Sequence, residues 1–359
     1  MFFGKNPAAF IVVIALMVVV MLGRVHAQQA ESGNARQLAP EVDALIERVR
    51  LAPNDGEIIE AARYIGFDLL RQRRYAEAAE VFSRINTASP DDPKTLYGNA
   101  LALFNLRQPD EAEKLALGIV NDATPRAVAK QQAVNASNVT ADALVLLGVI
   151  RAVRLDNAGA LRYTQRAVAL APDNFDAHLA LGRAFYGAGD PANAAAAFRQ
   201  AIKLNSTDVR ARFFLATALE KANDLDGALA AYHQLLQVAP QNADGHLGLG
   251  VLLVKQGGAK VDEGIQKLTR AVNLNGDLYE ARITLGRALV RAGRAAESVE
   301  HLQRAAALAP GNPEPRYQLA IAYRKLGKKI EAEEESRIVK QLHEARRGTN
   351  DTANAPKPN

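Results

Sequence analysis

The sequence contains no cysteine and no tryptophan, and only 6% of its 359 residues are aromatic. Without cysteine there are no disulfides, no thiol nucleophile, no thiolate metal site and no lipid-modified N-terminal cysteine. An excess of either charge is also lacking. Lys and Arg number 44 against 39 Asp and Glu, a net of +5, with both signs mixed along the chain. No basic stripe that would hold a phosphate backbone is present, so nucleic acid is not an expected partner. Long apolar runs are confined to the start. Ala8 to Leu22 form one such run, preceded by Lys5 and followed by Val25-His26-Ala27. A cation, a short apolar stretch and a small-residue site in that order form a secretory signal pattern. The run is shorter than the roughly 18 residues expected of a spanning helix. Residues 1–27 are therefore read as a signal peptide cleaved after Ala27. The alternative is an uncleaved anchor, which would bring membrane association. Cleavage removes Lys5 and Arg24 and lowers the net charge from +5 to +3. The expected location is outside the cytoplasm, in the bacterial periplasm, or anchored to the inner membrane facing it.

What the chain has in abundance is Ala and Leu, which suit helices, and a repeat. "APDNFDAHLALG" ends at Gly182 and "APQNADGHLGLG" ends at Gly250, 68 residues later. A third copy lies midway, so the period is 34: Leu181-Gly182, Leu215-Ala216 and Leu249-Gly250 keep step. Eight units fit this frame, at 59–92, 93–126, 141–174, 175–208, 209–242, 243–278, 279–312 and 313–346. Position 8 is small (Gly66, Gly148, Gly182, Gly250, Gly286), and position 20 is Ala in Ala78, Ala160, Ala194 and Ala228. Such residues let two helices lie close together. Pro near position 32 cannot continue a helix. Asp92, Asp173, Asn174, Asn242 and Asn312 can cap the next one. Acids at position 2 (Asp142, Asp176, Asp244, Glu280, Glu314) suit a first turn, where the helix dipole favours negative charge.

This pattern resembles the tetratricopeptide repeat, a helix-turn-helix unit that buries its apolar face by stacking on its neighbours. The resemblance implies an all-α fold, a right-handed α-solenoid. It covers most of the chain beyond the signal. Two departures stand out. Position 4 lacks the family's Trp and carries Leu144, His178, Arg212, His246, Arg282 and Arg316, and residues 127–140 are inserted. The expected organisation is a leader and N-terminal capping helix at 28–58, two units at 59–126 and the insertion at 127–140. Six units with a C-terminal capping helix follow at 141–346, then a disordered tail at 347–359. The insertion either lengthens a helix or forms a loop, and it is a candidate bend between the two-unit and six-unit parts.

Chemistry is hard to assemble from these residues. His178 and His246 lie two repeats apart, on the order of 20 Å for helices packed at roughly 8–10 Å. Ligands of one metal ion each lie about 2 Å from it, so this pair cannot share one. "GHLGLG" at 245–250 lacks dinucleotide-loop spacing and follows no strand, and "QGGAKVDEG" lacks the Lys-Ser/Thr of a phosphate loop. The expectations are no metal, no cofactor and no enzymatic activity.

The family resemblance implies a concave surface lined by the first helix of each unit, with positions 2, 5, 9, 12 and 13 facing inward. Carried onto this sequence, those positions nominate Val145, Val149, Leu179, Arg183, Tyr186, Phe213, Thr217, Lys221, Leu247, Val251, Ile283, Arg287 and Tyr317. The Lys and Asn with which some relatives clamp a chain-terminal carboxylate are absent from positions 5 and 9. The expected ligand is a protein or peptide segment with apolar anchors and some acidic residues, either an extended strand or an amphipathic helix. The expected function is a non-catalytic interaction scaffold or assembly factor of the cell envelope. The alternatives are a membrane-anchored subunit of a secretion, pilus, polysaccharide-export or cytochrome-maturation complex and, more remotely, a repeat-containing enzyme.

Overall fold

The computed structural model describes residues 40–52, 55–88, 90, 92–122 and 130–353. The expected signal and most of the leader lie outside these residues. The described residues form 17 helices and no strand. They fall into two compact units, divided between Gly189 and Asp190. The first contains α1 (Pro40–Leu51), α2 (Gly56–Arg71), α3 (Tyr75–Ala88), α4 (Pro93–Asn105), α5 (Pro109–Asp122), α6 (Lys130–Val153), α7 (Asn157–Leu170) and α8 (Phe175–Gly187). The second contains α9 (Pro191–Leu204), α10 (Val209–Lys221), α11 (Leu225–Val238), α12 (Ala243–Gln256), α13 (Lys260–Leu274), α14 (Tyr279–Arg291), α15 (Ala295–Leu308), α16 (Pro313–Lys325) and α17 (Lys329–Ala353). Within each unit every helix packs on the next, and helix pairs stack side by side as in an α-solenoid.

Each repeat turns at one place. Position 15 has a positive φ in all eight: Arg73, Arg107, Leu155, Gly189, Asn223, Gly257, Gly293 and Gly327. This is the left-handed residue that ends a helix, and the next amide reaches back to close it. Arg73 N–H donates to the Leu70 carbonyl at 3.0 Å and Arg74 N–H to the Leu69 carbonyl at 2.9 Å. The same pair of bonds recurs at Arg107 with Gln108, Leu155 with Asp156, and Asn223 with Asp224.

The new helix is then capped. Asp92, Asn174, Asp208, Asn242 and Asn312 accept from the first-turn amides of the first helices. Asn174 takes the position that Asp173 was equally suited to by type. Asp156, Asp190 and Asp224 cap second helices in the same way.

Small residues set the distance between helices. A methyl added at Gly66 lies 2.6 Å from the Phe82 ring, and one at Gly250 lies 2.8 Å from Leu268 Cγ. Phe82, Tyr232 and Leu268 are buried beneath such contacts.

Position 4 replaces the missing Trp with a polar staple. His178 Nε2 meets the Pro172 carbonyl at 2.8 Å, and His246 Nε2 meets the Pro240 carbonyl at 3.0 Å. Arg212 donates to the Ser206 carbonyl at 2.6 Å, and Arg282 donates to the Gly276 carbonyl. In all four the partner lies six residues upstream, in the link from the preceding repeat.

The insertion does not divide the core. Residues 130–140 are helical and form the start of α6, 24 residues long. Ala100, Ala112, Ala116 and Ile119 from one side share a buried cluster with Leu144, Leu147, Ile150 and Ala177 from the other. Glu113 on α5 binds Arg151 and Arg154 on and just after α6. The candidate bend at 127–140 falls partly on residues 123–129, outside the described residues, and the two compact units divide at 189/190. At the C-terminus α17 continues to Ala353, so residues 347–353 are helix where a disordered tail was anticipated. No proline occurs from Lys329 up to Pro356, and 354–359 lie outside the described residues.

Two stability predictions follow from the turn and the staple. Leu155 is 84% exposed and holds φ 62°. Leu155→Gly is expected to stabilise the first unit by about 0.5–1 kcal/mol, because glycine removes the left-handed strain and little packing is lost. A lower Tm by calorimetry would contradict this. His178→Ala should destabilise by about 1 kcal/mol through loss of one hydrogen bond. His178→Arg should restore most of that, since Arg212 makes the bond from the same position. Urea titration of the three proteins decides it.

Candidate functional site

The first helices present positions 2, 5, 9 and 13 on one stripe, because these steps of three and four residues stay on one helix face. In the first unit the stripes of α6 and α8 meet. Gly148, Val149, Ala152 and Val153 on α6 face Ala180, Arg183 and Ala184 on α8 across a shallow cleft of about 170 Å³. Its cause is steric. Ala152, Ala180 and Ala184 put only short side chains between the two helices, whereas a methyl on Gly148 would point at Thr164 on α7, 2.5 Å away. The two valines give it apolar walls, and Arg183 stands exposed at its edge.

Of the nominated residues in this unit, the structure brings Val149 and Arg183 together at the cleft. Val145 and Tyr186 lie half-buried on the same two helices. Leu179 is 6% exposed and is a packing residue, not a contact residue. Position 5 turns toward the neighbouring first helix. Arg63 shows the same preference, buried at position 5 and paired with Asp92 at 2.5 Å and Glu60 at 2.7 Å. Val153, Ala180 and Ala184 were not among the nominated residues. Their signal was a run of small residues facing each other in adjacent repeats.

A polar cluster joins the middle of α6 to the N-terminal end of α8; Asp142, expected in a first turn, lies mid-helix because α6 begins at Lys130. Asn174 Nδ2 donates to Asp142 Oδ1 at 2.8 Å. Burial raises the Asp142 carboxyl above its ordinary value near 3.8, and the Asp176 carboxylate adds to this against the Asn174 bond. The Tyr97 phenol is pushed up by burial and by the same two carboxylates. The acids of position 2 therefore do more here than complement a helix dipole.

In the second unit the nominated residues lie on four first helices. Phe213 packs edge-on to Tyr232 with ring centroids 6.5 Å apart. The Thr217 hydroxyl donates to the Phe214 carbonyl at 3.0 Å. Leu247 and Val251 are half-buried on α12, and Lys221 is exposed at the end of α10. Tyr317 is 49% exposed, whereas Ile283 is 7% exposed and packs inward like Leu179. Arg287 is half-buried, and its Nε has no hydrogen-bond partner. The second unit's face carries exposed cations at Lys221, Lys255, Arg291 and Lys325, all at position 13. Among the described residues, no three His, Asp or Glu side chains are grouped to hold a metal ion, and no helix is long and apolar enough to cross a membrane.

Family models described as tetratricopeptide repeat match residues 145–209, 179–237, 69–133 and 289–337, and a TPR repeat model matches 221–257. The chain belongs to the tetratricopeptide repeat family, and its repeats make it a protein-interaction scaffold. Among solved structures it is similar to PilF of Pseudomonas aeruginosa, at 16% identity and a TM-score of 0.50, over 58% of this chain and 93% of that one. It is also similar to YrrB, described as a TPR protein with an unusual peptide-binding site, at 20% identity and a TM-score of 0.44, over 50% and 91%. MamA from Desulfovibrio magneticus RS-1 matches at 21% identity and a TM-score of 0.43, over 48% and 96%. These likenesses concern the fold. No curated protein sequence matches the chain.

Asp142 yields a pH prediction. Its folded-state carboxyl titrates above the unfolded one, so the ionised form weakens the fold once pH rises past the ordinary carboxylate range. Asp142→Asn is expected to raise Tm at pH 7 while keeping an acceptor for Asn174. The gain should shrink as pH falls through the raised value and vanish near pH 3.8. Equal gains at pH 7 and pH 3.5 would show that charge is not the cause.

Proposed function

We propose that the chain is a non-catalytic scaffold of the cell envelope, exported by residues 1–27 to the bacterial periplasm. It holds a partner segment of apolar and acidic residues along its first-helix face. The observation that carries the reading is the pairing of an apolar cleft with an exposed cation, Val149 and Val153 beside Arg183. The cations at position 13 of the second unit support the same ligand chemistry. Apolar surface supplies binding free energy at about 25 cal/mol per Å² removed from water, while the cations select and orient acidic partners. The export reading is supported by the cation, apolar run and small-residue order of residues 5–27.

The test is photo-crosslinking in the native envelope from a probe at Val149, at Val251, or at the exposed Arg199 on α9. Adducts are expected from the first two and not from Arg199. Arg183→Glu combined with Arg287→Glu should reduce them about tenfold or more by reversing two attractions. Equal crosslinking from all three sites would overturn the choice of face. An intact Met1 on protein recovered only from the cytoplasm would overturn the location.

A further inference from the structure

Three successive first helices of the second unit share one charge pattern. Asp244, Glu280 and Glu314 stand at position 2 of α12, α14 and α16, and Lys255, Arg291 and Lys325 stand at position 13. Eleven residues make just over three helical turns, so each acid and base lie on one face. Five of the six are exposed and Glu314 is half-buried. Glu314 also accepts from Gln318 at 2.9 Å, and Lys325 also donates to the Val290 carbonyl at 2.9 Å. Helix dipoles would favour such charges at the ends of any helix. Yet the second helices α11, α13 and α15 carry acids in their first turns and no base in their last. From α11 to α16 the basic ends fall on the first helices alone, although the earlier second helix α9 ends with Lys203. The dipole alone does not account for them.

We infer that this face binds an amphipathic helix with an acidic flank and a basic flank, lying across α12, α14 and α16 between the two charged rims. This rests on the reading of the first-helix face as the binding surface, and it decides between the strand and the helix. Width is the first argument. Eleven residues at 1.5 Å each set the rims about 16 Å apart. A helix about 10–12 Å across reaches both rims with its flanking side chains. Spacing is the second. α12 packs on α14, and α14 on α16. Packed helices lie roughly 8–10 Å apart. A heptad advances about 10.5 Å, which places one acid and one base of the ligand opposite each repeat. Same-face residues of a strand recur at about 6.6 or 13 Å and fall out of step. Leu247, Val251 and Tyr317 lie between the rims, where the apolar seam of such a helix would rest.

The test uses the full chain and synthetic 21-residue peptides sharing one apolar heptad seam. One carries Glu on one flank and Lys on the other, one carries Glu on both, and one carries Lys on both. A fourth is the split-flank peptide with a central proline, which breaks the helix. Fluorescence anisotropy at low salt is expected to show the split-flank peptide binding about tenfold more tightly than the others. Raising the salt should narrow that preference. Lys255→Glu, Arg291→Glu and Lys325→Glu together should transfer the preference to the all-Lys peptide. Adding Asp244→Lys, Glu280→Lys and Glu314→Lys should restore the split-flank preference, because a helix turned end for end presents its flanks the other way. Circular dichroism verifies that each variant is folded. Equal affinity for all four peptides on the unaltered protein, equal binding of the proline peptide, or no binding of any overturns the helix inference. The crosslinking result at Val149 and Val251 judges the face itself separately.

Discussion

Position 15 of every repeat sits in the left-handed region of backbone space, and the antiparallel helices on either side depend on it. A helix cannot reverse direction without leaving carbonyls unpaired, and in six of the repeats this residue's own amide and the next one return to them. Four repeats use glycine there. Arg73, Arg107, Leu155 and Asn223 hold the same conformation with a side chain attached, at a local cost of about 1–2 kcal/mol for most residues. That cost is tolerated because the geometry is over-determined. Each reversal is followed within a residue or two by the next helix, and Asp156, Asp190 or Asp224 caps it in three of the repeats. Once the reversal is set, Gly66 and Gly250 can meet Phe82 and Leu268, and the side chains interlock.

The reversal explains what was legible in the sequence. The 34-residue period, the small residues of position 8 and the prolines of position 32 each leave a residue-type mark, so the helix pairs could be placed without coordinates. Position 15 leaves none when it is Arg or Leu, because nothing in those types announces a positive φ. The caps on second helices were equally quiet, since an aspartate in a polar turn looks like any solvated acid. Position 4 was legible as a departure from the family and illegible as a function. His and Arg share little except a nitrogen donor on a reach of suitable length. Only the carbonyl six residues upstream shows why both serve, and why the echo of His178 and His246 is a joint and not a metal site.

The candidate site was half legible for a related reason. The repeat frame indicates which side chains lie on the first-helix face. It does not indicate how closely the neighbouring first helix covers them. Leu179 and Arg183 are one turn apart on α8, yet the first is buried and the second stands at the cleft. Ile283 and Tyr317 occupy the same position in successive repeats with opposite outcomes. Coverage depends on the size of facing residues in the adjacent repeat, a pairwise property. Ala152 stands opposite Ala180 and Ala184 at the cleft, and all three are small together.

A stacked repeat separates the residues that hold it together from those that meet a partner. Positions 8, 20 and 24 face other helices of the stack, and they carry the small and aromatic residues that interlock. Positions 2 and 13 of α12, α14 and α16 touch little of that core, and five of those six side chains are exposed. Along α12, α14 and α16 those two positions are acid and base in every case. Random surface charge would vary from repeat to repeat, as position 9 does with Val251, Arg287 and Ile321. Asp142 makes the same point in the first unit from the opposite direction. Its carboxyl is held where burial opposes ionisation, beside a second carboxylate and a buried phenol. Packing alone would favour asparagine there, so the acid costs stability that the stack itself does not require.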